Sequence, residues 1–137
     1  MRLTIMRGVQ GSGKTRYVKN HFPHASVCSA DSFFERLGTW NPRYIMEAHK
    51  ECFNTCIKYM DEGRPHIVVD NVNALVRHFQ HYVEEADKRG YNTDIIRLDV
   101  NPYFAATRNI HKVPLKTILK MHKLMERCPP QYNERVI

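Results

Sequence analysis

The sequence contains no apolar run that approaches the roughly 18 residues of a membrane span, so no membrane partner is expected. No secretory leader is expected either, because residues 2–6 read as a strand that leads directly into a glycine-rich loop. The four cysteines form no Cys-x-x-Cys pair, and a reducing compartment keeps such residues as thiols. We therefore expect a cytoplasmic protein without disulfides.

Linkers rich in Gly, Ser or Pro, internal repeats and low-complexity tracts are all absent from the chain. Its 137 residues suit one hydrophobic core and are too few for two. Apolar residues make up 42% and charged residues 26%, which excludes a typical disordered composition. These features predict a single domain over residues 1–137.

Acidic residues are in the minority: 14 Asp and Glu stand against 21 Lys and Arg, for a formal net charge of +7. An excess of positive charge favours a polyanionic partner such as a nucleic acid. The alternative is a basic surface without a partner, because composition does not reveal whether the charges cluster.

Apolar runs alternate with helical periods along the chain, which is typical of an α/β domain. Strands are predicted at about 3–6, 26–29, 66–70 and 94–100, and helices at about 14–22, 42–62, 75–89, 102–109 and 114–127. The pattern predicts a parallel sheet of about four strands with helices on both faces. Ligands bind beyond the carboxyl ends of such strands, where Gly8, Asp31 and Asp70 are all expected.

Residues 8–15 read Gly-Val-Gln-Gly-Ser-Gly-Lys-Thr and match the P-loop pattern between an apolar strand and a helix. In this pattern backbone N–H groups surround the phosphates, Lys14 reaches the β- and γ-phosphates, and Thr15 ligates Mg²⁺. The motif predicts a P-loop NTPase-type fold that uses Mg²⁺ and ATP, or another NTP. The predicted NTP-binding residues are Gly8, Gln10, Gly11, Ser12, Gly13, Lys14 and Thr15.

Asp70 ends an apolar strand, the place where P-loop NTPases hold an aspartate that supports Mg²⁺. We predict that Asp70 and Thr15 form the metal site. A strand-terminal Asp can instead cap the next turn, and Asn71 and Asn73 can be local turn formers.

Asp31 follows the second predicted strand and is expected to face the γ-phosphate. A carboxylate there can accept the proton of an attacking hydroxyl. Equally, Asp31 or Ser32 can cap a short helix that begins at Phe33.

Arg108 lies in a helix after the fourth predicted strand, within a helical lid expected near residues 102–114. An arginine there can neutralise charge during transfer, or it can be an ordinary surface residue.

His49, Cys52 and Cys56 share a helical face, but core packing is favoured over zinc because no fourth ligand is evident. A stripe on the last helix is interpreted as a solvated face rather than a phosphate contact; it comprises Lys116, Lys120, Lys123 and Arg127.

The chain resembles the P-loop 5′-hydroxyl polynucleotide kinases, in the branch that includes the phage kinase domain and the kinase-like domain of NEDD4-binding protein 2. Besides the loop, the resemblance is carried by Ser29-Ala30-Asp31-Ser32-Phe33-Phe34, by Ala48-His49 with Cys52, by Val68-Val69-Asp70-Asn71-Val72-Asn73, and by Arg108-Asn109-Ile110-His111-Lys112-Val113-Pro114.

This resemblance implies that Asp31 is the general base, Arg108 the lid arginine, and Asp70 with Asn71 the acidic pair of the family. Phage-type members grip the acceptor phosphate with an arginine three residues after the base, where this chain has Phe34. Candidates for acceptor binding are Arg36, Arg43, Asn71 and Asn73. The phosphatase domain that some members carry is not expected here.

The leading hypothesis is Mg²⁺-dependent transfer of an NTP γ-phosphate to the 5′-hydroxyl of RNA or DNA, with Lys14, Asp31 and Arg108 as catalytic residues. One alternative is a kinase of a nucleoside or another small metabolite. Another is an NTP-binding nucleic-acid module without transfer.

Overall fold

The computed structural model describes residues 1–110 and 112–137. Its strands are β1 (Arg2–Arg7), β2 (Ser26–Cys28), β3 (His66–Asp70), β4 (Asn92–Arg97) and β5 (Glu134–Val136). Its helices are α1 (Lys14–His21), α2 (Asp31–Leu37), α3 (Ile45–Asp61), α4 (Val76–Lys88), α5 (Pro102–Thr107) and α6 (Leu115–Leu124), with a short 3-10 turn over Pro42–Tyr44.

The five strands form one sheet in the order β2-β3-β1-β4-β5, and every neighbouring pair is parallel. This confirms the predicted α/β fold. Strand β1 lies at the centre, where its whole length pairs with β4 and residues 2–6 pair with β3. The loop that follows β1 is therefore anchored on a strand with hydrogen-bonded neighbours on both sides.

Alternate residues of the central strands face opposite layers of the protein, because side chains in a strand point to opposite sides in turn. Ile67 and Val69 pack with α3 and α4, in a cluster that also contains Phe79 and Tyr82. Val68, between them, packs with Val18 of α1 on the other side. Burial on both faces explains why β3 reads as an unbroken apolar run.

Strand β5 corrects the expectation of about four strands. It is three residues long, follows Pro129 and Pro130, and carries too little periodicity to be read from sequence. A tertiary contact holds it: the fully buried Arg7 guanidinium donates to Glu134 at 2.5 Å. Arg7 also donates to the carbonyls of Asn73, Ala74 and Glu126.

Several helix boundaries differ from the sequence prediction. Residues 42–44 form a 3-10 turn ahead of α3, and the last helix ends at Leu124, so Arg127 of the basic stripe lies beyond it. Helix α2 begins at Asp31, with Ala30 in the N-cap position, so the predicted start at Phe33 is wrong. Helix α5 ends at Thr107 rather than near Asn109, because Arg108 already leaves the helical conformation. His111, placed by sequence at the end of this segment, lies outside the described residues. No helix of the described chain is long and apolar enough to cross a membrane.

Candidate nucleotide-binding and phosphoryl-transfer site

The loop between β1 and α1 depends on glycine at two positions. Gly11 has φ +81°, and a Cβ added there would lie 2.0 Å from the carbonyl oxygen of Ala105 in α5. Gly13 has φ +98° and occupies the N-cap position of α1. Left-handed backbone and close approach both favour glycine, so the loop turns sharply while α5 packs directly on it.

The Lys14 ammonium folds back over this loop and donates to the carbonyls of Gly8 at 2.8 Å and Val9 at 3.1 Å. Burial lowers the pKa of Lys14, while the charges of Asp70 and Asp31 raise it in part. Lys14 therefore lies within the field of both carboxylates. Gly8, Asp31 and Asp70, which the sequence predicted at separate strand ends, therefore all lie near the Lys14 ammonium.

Thr15 and Asp70 are brought together as the sequence predicted for a metal pair. The Thr15 hydroxyl donates to Asp70 Oδ2 at 2.9 Å, and Asp70 is buried. A hydroxyl beside a carboxylate is a set of hard oxygen donors that suits Mg²⁺, which takes few protein ligands and completes its shell with phosphate and water. These residues fit the ion.

Two other loop side chains bring polar atoms into buried positions. Within the described residues, Ser12 Oγ and Gln10 Oε1 are buried and have no hydrogen-bond partner. Buried polar atoms are normally paired, and a phosphate oxygen could accept from the Ser12 hydroxyl. The predicted NTP-binding role of the loop fits this unsatisfied donor.

Asp31 is positioned by contacts at the start of α2. Its N–H donates to Ser29 Oγ at 3.0 Å, and the preceding N–H of Ala30 donates to Asn71 Oδ1 at 2.9 Å. Asn71 follows β3, so the ends of β2 and β3 are tied together beside Lys14. Asp31 is the first residue of α2, with Ala30 in the N-cap position, so the general-base role and a helix-stabilising role for its carboxylate both stay predictions.

His49 of α3 also lies near Asp31. Burial lowers the pKa of His49, the Asp31 charge raises it, and the charge of His81 lowers it. The sequence suggested only a weak zinc hypothesis for this residue, and no three His, Cys, Asp or Glu side chains converge as metal ligands among the described residues. Cys52 and Cys56 are buried in the core, as the packing interpretation predicts.

Arg108 ends α5 and reaches back to the loop. Its Nη2 would lie 3.8 Å from a Cβ at Gly13, and its guanidinium lies over the Phe104 ring at 4.5 Å. Val9 and Ala105 pack with Val113 and Ile118, so α5 and α6 cover one side of the loop. The contact between Arg108 and Phe104 could not be predicted from the sequence, whose only hint is their spacing of four residues on a helix.

The four acceptor-binding candidates divide into two kinds. Asn71 and Asn73 are buried and make hydrogen bonds inside the protein: Asn71 Nδ2 to Cys52 Sγ at 3.4 Å and Asn73 Nδ2 to the Met6 carbonyl at 2.8 Å. Arg36 and Arg43 are exposed. Acceptor contact by any of the four stays a prediction, and the two arginines are the accessible ones.

Phe34 is only 7% exposed and packs with Ala30 and Ala48 in a small core under α2. Its ring therefore fills a structural role at the position where the resembled family has an arginine.

The basic stripe near the chain end is exposed throughout, in agreement with a solvated face, at Lys116, Lys120, Lys123 and Arg127.

Fold and loop together define a P-loop, kinase-like α/β domain. A protein family described as AAA domain matches residues 3–127, and the chain belongs to that family. Among curated proteins, YLP motif-containing protein 1 of Rattus norvegicus is 29% identical over a gapped alignment of 156 positions. The alignment covers 93% of this chain and 11% of that protein. The human protein of the same name is also 29% identical, with 93% of this chain and 7% of its own length covered.

Solved structures share the fold at low identity. A gluconokinase from Sinorhizobium meliloti 1021 has a TM-score of 0.67 at 14% identity, with 99% of this chain and 81% of that one covered. A chain of the Pnkp1/Rnl/Hen1 RNA repair complex has a TM-score of 0.71 at 17% identity, with 90% and 43% covered. The fold therefore occurs both in a kinase of a small molecule and in an RNA repair complex.

Proposed function

We propose that this domain is a Mg²⁺-dependent phosphotransferase that moves the γ-phosphate of ATP, or another NTP, to the 5′-hydroxyl of RNA or DNA. The observation that carries the proposal is the Lys14 ammonium folded over the Gly8 and Val9 carbonyls, next to the Thr15–Asp70 hydrogen bond and with Arg108 close to Gly13. The polynucleotide acceptor rests on the net charge of +7 and on the motif resemblance over residues 29–34 and 108–114.

In the proposed reaction the acceptor oxygen attacks the γ-phosphorus while its proton passes to the Asp31 carboxylate. The new O–P bond forms as the bond to the bridging β–γ oxygen breaks, and the nucleoside diphosphate leaves with that oxygen. Charge in this loose transition state spreads over the phosphoryl oxygens. Lys14 and Arg108 are the cations placed to neutralise it, so positioning and electrostatics supply most of the catalysis.

Thr15 and Asp70 would hold the magnesium ion, Thr15 directly and Asp70 as its carboxylate partner. When bound, the ion neutralises charge on the β- and γ-phosphate oxygens. Because the Thr15 hydroxyl donates its proton to Asp70, the lone pairs of its oxygen are left for the ion. The Ser12 hydroxyl, buried and close to Gly8, is a further donor available to a phosphate.

A small-molecule kinase is the second candidate. The observation that favours it is the buried Phe34, which occupies the position of the phosphate-gripping arginine of the resembled family. The gluconokinase of similar fold is an enzyme of that class by name. An NTP-binding module without transfer is the third candidate, and the assembled Lys14, Asp31 and Arg108 weigh against it.

The test offers γ-labelled ATP to 5′-OH RNA, 5′-OH DNA, a nucleoside, gluconate and no acceptor. We expect label on the oligonucleotides, with affinity that falls steeply as salt rises, because each neutralised phosphate releases counterions. Brisk transfer to the nucleoside or gluconate without transfer to an oligonucleotide establishes the second candidate instead.

Asp31→Asn sharpens this assay, because it preserves volume and removes the proton acceptor. Turnover is expected to fall on the order of 10²-fold or more, with ATP affinity and melting temperature nearly unchanged. Asp87→Asn is the matched control, because it makes the same change at an exposed residue of α4. Turnover of Asp31→Asn close to wild type contradicts the general-base assignment.

A further inference from the structure

Two aromatic rings beside the start of α2 each lie under an arginine. The rings of Phe33 and Tyr44 are 6.1 Å apart between centroids. The Arg36 guanidinium lies 6.0 Å from the Phe33 ring, and the Arg43 guanidinium lies 5.8 Å from the Tyr44 ring. We call these four residues the ring–arginine surface.

The rings are packed against the protein on one side and are partly exposed. Phe33 and Tyr44 are half-buried against the cluster of Ala30, Phe34 and Ala48, which fixes their orientation. The two arginines are exposed, and Arg36 also pairs with Glu51. Fixed aromatic rings beside exposed cations are the combination that binds single-stranded nucleic acid, because every base has a face to stack and every nucleotide has a charge.

The position of this surface relative to Asp31 sets which nucleotides could reach it. Phe33 lies two residues after Asp31 in the same helix, and two helical residues turn through about 200°. The Phe33 ring therefore lies on the opposite side of α2 from the Asp31 carboxylate, away from the reacting nucleotide. A strand whose terminal hydroxyl lies at Asp31 would pass around the N-terminal end of α2, and its later nucleotides would reach the rings.

We infer that the ring–arginine surface binds the nucleotides that follow the 5′ end of a single-stranded acceptor, with bases stacked on Phe33 and Tyr44 and a phosphate at Arg43. This inference rests on the proposed function and specifies its acceptor. Bases inside a duplex stack on one another, so their faces are not available to these rings. The surface also supplies cations where Phe34 supplies none.

A second arginine–aromatic pair provides a matched control. The Arg64 guanidinium lies 4.0 Å from the Tyr59 ring. Arg64 comes just before β3, at the opposite ends of the strands from Asp31, which follows β2. Arg43→Ala and Arg64→Ala both remove an arginine beside an aromatic ring, although Arg64 also bonds Ser26 and Glu62. Only Arg43→Ala removes it beside the proposed acceptor path.

The experiment measures transfer from ATP to a 5′-OH single-stranded 10-mer and to a nucleoside 3′-phosphate. For Phe33→Leu and Tyr44→Leu we expect KM for the 10-mer to rise about tenfold, as the loss of one stacked base implies, with kcat little changed. KM for the nucleoside 3′-phosphate should stay the same, since it lacks the later nucleotides. A blunt 5′-OH duplex should be a poor acceptor that Tyr44→Leu does not affect further.

Arg43→Ala leaves the rings in place and tests the phosphate contact if a ring variant loses stability. Its plot of log affinity against log salt should be shallower by about 0.7 than wild type, whereas Arg64→Ala should match wild type. Equal KM increases for the 10-mer and the nucleoside 3′-phosphate overturn the inference. Equal salt slopes for Arg43→Ala and Arg64→Ala also overturn it.

Fluorescence anisotropy with a labelled single-stranded 10-mer separates this inference from the proposed function. If the wild-type protein phosphorylates the 10-mer and the variants at Phe33, Arg43 and Tyr44 all behave as wild type, the inference about the ring–arginine surface is refuted and the proposed function is not. Wild type that transfers no phosphate to any 5′-OH acceptor refutes the proposed function. In that case the ring–arginine surface is still supported as a binding site if the 10-mer binds and the variants weaken its binding. It is refuted if the 10-mer does not bind.

Discussion

The proposed donor side and the proposed acceptor side of the site are built by different means. On the donor side, residues 8–15 form a loop whose backbone conformation carries the function, with Gly11 pressed against α5 and Gly13 opening α1. On the acceptor side, α2 and α3 present side chains, and hydrogen bonds and small cores decide which of them face solvent. Backbone requirements leave a readable motif, whereas side-chain orientation depends on packing.

Lys14→Ala tests the donor side with the largest expected effect. Loss of a cation aimed at the β- and γ-phosphates should lower turnover by on the order of 10³-fold, the range seen for groups that stabilise transferring phosphoryl oxygens. The melting temperature should not fall, because the buried ammonium carries a desolvation cost. Turnover and circular dichroism check both parts, with the exposed Lys19→Ala in α1 as control. Unchanged turnover would remove the P-loop assignment.

Gly11→Ala compares the two sides through stability. An added methyl group would collide with the Ala105 carbonyl at 2.0 Å and occupy a backbone with φ +81°, so we expect a loss of about 2–4 kcal/mol from overpacking and left-handed strain together. Gly38, at the end of α2, has φ +90° and nothing within 4 Å of the added Cβ. Gly38→Ala should therefore cost only about 1 kcal/mol of strain. Urea unfolding measures both, and equal losses would mean that α5 does not restrict the loop.

Phe104→Leu tests whether the lid arginine is held by the ring beneath it. Without the ring, the Arg108 guanidinium loses a cation–π contact of about 0.5–1 kcal/mol at an exposed site, so kcat should fall about two- to fivefold while KM for ATP changes little. Tyr103→Leu, also exposed and one residue away, is the matched control. Rescue by Phe104→Tyr is expected, and equal kcat for Phe104→Leu and Tyr103→Leu would count against a positioning role.

Acidification should weaken the fold by the smallest of these effects. Burial is the leading cause of a lowered pKa at two half-buried histidines, His66 and His81. Their folded pKa values lie below the unfolded value of about 6.5, so the unfolded chain takes up protons first as pH falls. The free energy of unfolding is therefore highest above about pH 6.5 and decreases below it.

His66 begins β3 and His81 lies on α4, so the loss should concentrate around these two elements. Melting temperatures between pH 7.5 and 5 should fall for wild type and fall less for His81→Gln. Hydrogen exchange should show earlier opening of α4 than of β1. A melting temperature that rises as pH falls contradicts the sign of the effect.

Much of the fold could be predicted because its signals are local. The apolar run of residues 67–69 and the breaks at Pro23, Gly63 and Gly90 placed four of the five strands and most helices within a few residues. Strand β5 could not be predicted, because its three residues depend on the buried Arg7–Glu134 pair, whose members lie at opposite ends of the chain. The start of α2 was missed because its first N–H groups bond to Ser29 and Asn71 side chains rather than to a conventional N-cap.

By itself, the sequence determined the phosphate-binding loop, the parallel α/β order and the strand ends at which Gly8, Asp31 and Asp70 occur, since glycine spacing and apolar periodicity restrict the backbone directly. Only the tertiary structure decided which side chains face the crevice. It buried Phe34, Asn71 and Asn73 within the protein and left Arg36 and Arg43 exposed over aromatic rings. The reason is physical: a side chain's orientation follows from which distant surfaces pack against its helix, and no local pattern encodes that packing.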